Sequence, residues 1–561
     1  MNFQEGVSMK NGLMCGVAFV IGALPLMAQT AAPSHFDAAR IASHIETLSS
    51  DAYEGRGPAT PGEDKSIAYI SAKMAEAGLE PAGDPKAGGA RAWTQDVPLL
   101  RSSITGTPTI SLIEGGTTKA LTQGEEIAVR APLDGSRAVS IKNVPLVFVG
   151  YGTTAPEKKW DDFKGVDVKG KLIVVLINDA DFETGEGDFG GKAMTYYGRW
   201  TYKYEEAARR GAVGTLIVHE TDPASYGWAT VKNSNTNTMF DIVRERPKAS
   251  HAPVEAWIQR DLAVQIFRAS GLDFDGAKKA AQTRTFKPMP LNAKLSIDLK
   301  ADSGRIVSHN VVGRVKGTTK PDETVIYSAH WDHLGVGAPD AKGDTIYNGA
   351  LDNASGTAAL IEMGRAFATG PKPQRSVLFL TVTAEEKGLL GSEYYATHPL
   401  FPLATTVGVL NMDGIQMNGP AKNFTISGSA KFGLLDDLIA EGKKAGRTYT
   451  PETHPEAGHF FRSDHFPMAK QGVPALSFDG GDDLVDGGTV RGEALAAAYT
   501  KDRYHQPADE WQVGTDLSGA VQDLDLLYGL GSKLANSREW PQWSADSEFR
   551  SARDKSASAR K

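Results

Sequence analysis

Three short segments carry residues that could hold a metal. The first begins with the strand-like run Val325-Ile326-Tyr327 and ends in His330-Trp331-Asp332-His333. A Gly-rich loop follows, then NGALDNASG (348–356) with Asp352 at a helix entrance. The second is an apolar run that stops at Glu385-Glu386, and the third ends in Asp413. His330, the Glu385-Glu386 pair and Asp413 each lie just past the carboxyl end of an apolar strand. In an open α/β sheet the ligand crevice lies outside those strand ends, so residues far apart in the chain converge there.

Imidazole and carboxylate donors with no thiolate suit a catalytic zinc site. A carboxylate in a tight loop, as Asp352 is, can bridge two metals. Two metals about 3.5–4 Å apart share a water, lower its pKa and stabilise a developing oxyanion. Of the adjacent acids Glu385 and Glu386, one can ligate while the other stays free as a general base. Asp332, two residues after His330, is placed to accept the other ring N–H and fix the tautomer.

The elements that would position these residues follow from periodicity. SVLFLTV (376–382), TTVGVLNM (405–412) and GVPALSF (472–478) are apolar throughout, as strands buried on both faces are. Leu360, Met363 and Phe367 mark one face of a helix over 356–368, and 516–535 reads as a final helix. The expected fold class is therefore α/β, a mostly parallel central sheet sandwiched by helices.

Upstream, Ile41, Ile45 and Leu48 have helical spacing. A second helix starts at Thr60 with Pro61 at its first position and Glu63 completing a capping box. Ile67, Ile70 and Met74 form its stripe, and Gly78 ends it. From about residue 105 short β-rich runs dominate, with a helix near 202–210 and a helix–break–helix over 260–281. Here Asp179, Asp181 and His219 read as isolated surface or turn residues. KLSIDLKAD (294–302) and HNVVGRVKG (309–317) read as a strand pair, and 546–561 as a disordered polar tail.

The chain has 561 residues, 41% hydrophobic and 23% charged, with a net charge of −8. Two or three domains are expected, and the charge with no basic block argues against nucleic acid. Lys10, an apolar stretch over 12–27 and small residues after it predict a signal peptide over 1–28, cleaved after Ala28, with Met9 as an alternative start. The stretch is too short for a membrane anchor, which needs about 20 apolar residues. The only cysteine, Cys15, falls inside it, so thiolate chemistry is excluded from the mature chain. A bacterial periplasmic or secreted enzyme is the expectation.

HWDHLG (330–335), NGALDNASG (348–356), TAEEKGLLGS (383–392), NMDG (411–414), RSDHFPMAKQGVPAL (462–476) and YHQPADEW (504–511) together resemble the zinc aminopeptidases of the M28 peptidase family. EGRGPATPGEDKSIAYI (54–70) is similar to the N-terminal part of secreted bacterial members. The β-rich insertion looks like the protease-associated domain that such members carry. The resulting scheme is signal peptide 1–28, peptidase 34–105, inserted protease-associated domain 106–289, catalytic part 290–545 and tail 546–561.

The resemblance implies two zinc ions per chain. His330 and Asp413 would hold one, Glu386 and His505 the other, and Asp352 would bridge them. Glu385 would activate the bridging water and later protonate the leaving amine, and Tyr504 would help stabilise the oxyanion. A cis peptide after Asp352 is also implied. His333, His459 and His465 are left outside the ligand set. Arg462, Ser463 and Asp464 line the substrate pocket or form a structural turn.

Singly, each motif has a plain structural use; His505, for example, could be a loop histidine in a Gln-Pro-Ala-Asp turn. The ordered set is what speaks for a site. The implied activity is removal of the N-terminal residue from peptides with a free N-terminus. A metallo-carboxypeptidase, a one-zinc glutaminyl cyclase and a metal-free binding module are the alternatives. Oligomeric state is left open.

Overall fold

A computed structural model describes residues 34–337, 339–428 and 432–560. The signal-peptide segment, Cys15 included, lies outside the described residues. No helix among the described residues is long and apolar enough to cross a membrane.

The fold is α/β, with one 16-stranded mixed sheet flanked by helices. Its parallel heart explains the site. Strand Lys320–His330 lies between Arg375–Val382 and Thr406–Met412 and runs parallel to both. Ala475–Gly480 continues the parallel set beside Thr406–Met412. These strands are buried throughout or nearly so because helices cover both faces, including Gly356–Thr369 and Ser518–Asn536. Their carboxyl ends stand side by side, which brings His330, Glu385 and Asp413 to one edge.

The two largest apolar cores draw on different parts of the chain. Ile41, Ile45, Ile70 and Met74 of the first two helices pack with Val325, Leu378, Leu410 and Leu527. Leu112, Phe148, Val174, Leu216, Phe267 and Leu295 form the second core. The second core is built on further parallel strands, Leu172–Leu176, Gly214–His219 and Val254–Gln259.

Several expectations are corrected. Residues 294–302 and 309–317 are not a strand pair. They belong to one strand, Met289–Val315, 27 residues long. Asp302-Ser303-Gly304 resembles a turn in sequence, yet each of the three stays in register with Ser103, Ser102 and Arg101 of strand Thr94–Glu114. Continuous pairing replaces the turn. Residue 106 likewise falls inside Thr94–Glu114 rather than at a break.

Asp179, Asp181 and His219 are buried, not surface residues. Asp179 accepts hydrogen bonds from Thr195. Asp181 accepts one from the Phe189 N–H, and His219 Nε2 meets the Tyr226 carbonyl. They anchor loops.

The tail is ordered as well. Arg550–Lys555 is a short helix, and Arg553 is buried within reach of the Trp540 ring. The capping box is not formed: Glu63 accepts the Ala59 N–H rather than that of Thr60, and the Thr60 hydroxyl donates to the Gly57 carbonyl instead of capping the helix.

Candidate metal centre

His330 is the last residue of its strand and is buried. Its Nε2 lies 3.0 Å from Asp413 Oδ1 and 3.3 Å from Asp352 Oδ1. The other oxygen of Asp352, Oδ2, lies 3.2 Å from His505 Nε2. That same nitrogen lies 3.1 Å from Glu386 Oε2. Asp352 thus turns one oxygen to each of two histidines, and each histidine has a further carboxylate of its own. The Asp352-Asn353 peptide is cis.

The loop that carries Asp352 is tied on both sides. Asn353 Nδ2 donates to the Met412 carbonyl, and its Oδ1 accepts the N–H groups of Gly356 and Gly414. This fixes Asp352 relative to Asp413. On the other side, the fully buried Asp509 carboxylate accepts the N–H groups of Leu351 and Asp352 at 3.1–3.3 Å. Asp509 lies in YHQPADEW beside His505, yet the sequence reading gave it no role. Its spacing of four from His505 was the available signal.

Asp332 holds His330 differently from the expectation. The Nδ1 of His330 lies 3.1 Å from the Asp332 main-chain carbonyl, while the nearer carboxylate oxygen is 3.8 Å away. The carboxylate instead accepts the Glu385 N–H.

His333, set aside in the sequence, belongs to the cluster. It is buried, and its Nδ1 lies 2.7 Å from Glu386 Oε1. His333, Asp352 and Glu386 can converge on one cation, as can His330, Asp352 and Asp413. The His333–Glu386 contact is too poorly aligned for a hydrogen bond, so both ring nitrogens and Glu386 Oε1 are buried without one. Buried polar atoms of this kind are normally satisfied. Orphaned imidazole nitrogens beside an orphaned carboxylate oxygen are a donor set that a zinc ion completes.

The electrostatics agree. Burial disfavours a charged His505, but Glu386 and Asp352 outweigh it and push the imidazole up to about 10. Burial also opposes charge on His330, which Asp413 and Asp352 hold well above its ordinary range. Burial raises Asp352 and Glu386, yet the neighbouring histidines keep both below the carboxylate range. Glu385 departs from this: burial, then Asp413 and Glu386 against the opposing pull of His330, raise its carboxyl well above the ordinary range. Two adjacent acids therefore divide into one that stays ionised and one that carries a proton readily.

Tyr504 stacks on His505 with ring centroids 3.9 Å apart. Tyr504 is 39% exposed, and partial desolvation with the nearby Asp352 and Glu386 raises its phenol, so the hydroxyl remains a donor. Ser463 and Asp464 are structural: Ser463 accepts from Asn411, and buried Asp464 accepts from Ser392. His459 pairs with Glu452. His465 packs edge-on to Phe460 with both ring nitrogens buried, and burial pushes it down to about 3.

Arg462 is half-buried, and its charge is felt by Tyr504 and by Arg199. Burial and Arg462 push the Arg199 guanidinium down to about 10, and its Nε has no hydrogen-bond partner.

A strand-end centre of two histidine–carboxylate pairs sharing one aspartate defines a metallopeptidase-type site. Residues 310–528, which carry every residue of the centre, match the model of peptidase family M28. Among relatives, aminopeptidase NAALADL1 of Mus musculus is 37% identical over 112 residues, which cover 19% of this chain and 13% of the relative. The glutamate carboxypeptidase 2 homolog of Caenorhabditis elegans is 28% identical over 378 residues, covering 60% of this chain and 45% of the relative. The chain thus spans less than half the length of these curated relatives. Among solved structures, the aminopeptidase from Aneurinibacillus sp. strain AM-1 is 20% identical, with a TM-score of 0.48 and coverage of 89% of this chain and 94% of that one.

Proposed function

We propose that the chain is an exported zinc-dependent aminopeptidase that binds two zinc ions and hydrolyses the N-terminal bond of peptides. One observation carries the two-metal reading: Asp352 presents separate oxygens to His330 at 3.3 Å and to His505 at 3.2 Å. His330 and Asp413 would hold one ion, Glu386 and His505 the other, and Asp352 both, with His333 behind Glu386. When bound, the pair supplies a water acidic enough to attack at neutral pH and positive charge for the developing oxyanion.

The chain's own groups do the rest. Glu385, raised by burial beside Asp413 and Glu386, takes the proton from the attacking water and returns it to the leaving amine. Tyr504 keeps its proton and donates a hydrogen bond to the substrate carbonyl oxygen as it gains charge. Export rests on the N-terminal sequence, and a processed N-terminus at residue 29 would establish it.

A carboxypeptidase is the second reading, favoured by Arg199 and Arg462. Two guanidiniums that repel one another, Arg462 felt by Tyr504 and Arg199 with an unpartnered Nε, suit the carboxylate end of a peptide. The same pair would equally hold the C-terminus of a dipeptide during aminopeptidase action.

A mass-spectrometric time course separates these readings, using peptides with free or acetylated N-termini and free or amidated C-termini. Chelator-sensitive loss from free N-termini only supports the aminopeptidase. Loss from free C-termini gives the carboxypeptidase, and ring closure of N-terminal Gln gives a cyclase. No change in any peptide with zinc bound overturns the peptidase reading in favour of a binding role.

A further inference from the structure

The segment 48–57 lies outside the matched region and contributes no residue to the metal donor set. It nonetheless enters the site from behind. Arg56 is fully buried, and its guanidinium donates four hydrogen bonds, all to main-chain carbonyls. Nε reaches Trp331 at 2.8 Å, the residue between His330 and Asp332. Nη1 reaches Asn348 at 2.6 Å and Leu48 at 2.8 Å. Nη2 reaches Gly349 at 2.8 Å. The Arg56 carbonyl in turn accepts the His333 N–H at 3.3 Å.

One side chain thus spans two of the stretches that deliver the donors, the end of the His330 strand and the loop that leads into Asp352. Its neighbours deepen the contact. Asn348 Nδ2 donates to the Ser49 carbonyl and to Asp51. Gly55 sits at φ +62, where a Cβ would come within 2.5 Å of the Gly335 carbonyl and 2.6 Å of the Tyr347 carbonyl, so the turn packs against the backbone of the metal loop. The guanidinium also lies beneath Asp332, Asp352, Asp509 and Glu386, whose charges offset part of the cost of burying it.

We propose that Arg56 is a positioning residue of the metal centre: it fixes the spacing between the His330 and Asp352 stretches and thereby sets the affinity for zinc. The proposal rests on the metal reading above. Only a planar fork with five donors can bridge three backbone segments in fixed geometry; an ammonium carries the charge but not the span. Groups that orient metal ligands are worth about 10–100-fold in affinity.

The test uses the full chain with Arg56→Ala, Arg56→Lys and, as a control, Arg375→Met. Arg375 is an equally buried guanidinium bonded to two carbonyls and to Glu323, but it stands at the amino end of strand Arg375–Val382, away from the site. Stepwise zinc affinities are measured by competition with a chromophoric chelator, alongside the melting temperature of the chelator-treated protein. The expected result is a 10–100-fold weakening in Arg56→Ala and a smaller loss in Arg56→Lys. Arg375→Met should lower the melting temperature and leave zinc affinity unchanged.

Wild-type zinc affinity in either Arg56 variant overturns the proposal, even if that variant melts earlier. If Arg56→Ala does not fold, Arg56→Lys decides: weakened affinity in a folded chain supports the proposal, and unchanged affinity overturns it. Equal weakening in Arg375→Met would reduce the effect to general destabilisation and also overturn it. A wild-type chain that takes up no zinc overturns the metal reading, and this proposal with it.

Discussion

The carboxylate of Asp332 accepts the backbone N–H of Glu385 at 3.1 Å. The main-chain carbonyl of the same residue faces His330 Nδ1 at 3.1 Å. One residue therefore aims a metal ligand with its backbone and the proposed base with its side chain. Asp332→Asn keeps the carbonyl and weakens the hold on Glu385, because a neutral acceptor binds an N–H less strongly than a carboxylate. We expect zinc content to stay at the wild-type level and kcat to fall about 10–100-fold. Metal analysis with steady-state kinetics checks both; lost zinc would place Asp332 with the ligands instead.

Glu385→Gln removes the proton carrier while preserving shape. Zinc content should be unchanged and turnover should drop by about 10²–10⁴-fold, the usual contribution of a positioned acid–base group. Near-wild-type activity in this variant would reassign the base.

His505 and His333 compete for the same partner, Glu386, from opposite sides. His505 also reaches Asp352 at 3.2 Å, so it is the stronger donor. His505→Ala should lose one of two zinc ions per chain. His333→Ala should retain both and bind the second more weakly. Metal counts after dialysis distinguish the two, and the reverse pattern would exchange the ligand assignments.

A pH-dependent tie lies near strand Val254–Gln259. His251 stands between Asp241 and Glu255, each 2.8 Å from a ring nitrogen. Arg244 pairs with Asp241, and Arg130 with Glu255. Burial opposes a charged imidazole, but Glu255 and Asp241 outweigh it and push His251 up to about 9. The folded value lies above the unfolded value of about 6.5. The stabilisation is thus fully present below about pH 6.5 and is lost as pH rises through about 9. We expect the melting temperature of the wild-type chain to decline across that window and His251→Gln to flatten the decline. Parallel curves for the two proteins would refute the assignment.

The strand ends were readable because apolar runs on both faces announce buried parallel strands, and His330 and Asp413 follow such runs directly. Glu385-Glu386 was readable as a pair, though only burial and the neighbouring charges show which acid is raised. His333 was not readable: it sits in the same HWDH run as His330, and sequence cannot say which way a ring turns after a strand stops. Asp509 and Arg56 were missed for a related reason. Both act on backbone groups, and a side chain that bonds carbonyls or N–H groups leaves no pattern of matched residue types. The strand Met289–Val315 was split because Ser303-Gly304 has turn composition, and only its partner strand keeps it extended.

That strand limits how the molecule can move. Its last residues pair with Arg375–Val382, the neighbour of strand Lys320–His330, and its earlier residues pair with Thr94–Glu114 and Ala138–Phe148. The two cores are therefore joined by hydrogen-bonded ribbon along these strands, with no flexible tether there to serve as a pivot. Hinge motions are absorbed by a few loop residues, and a paired strand offers none. Movement of one core against the other along this ribbon therefore has to bend a paired sheet rather than open a loop.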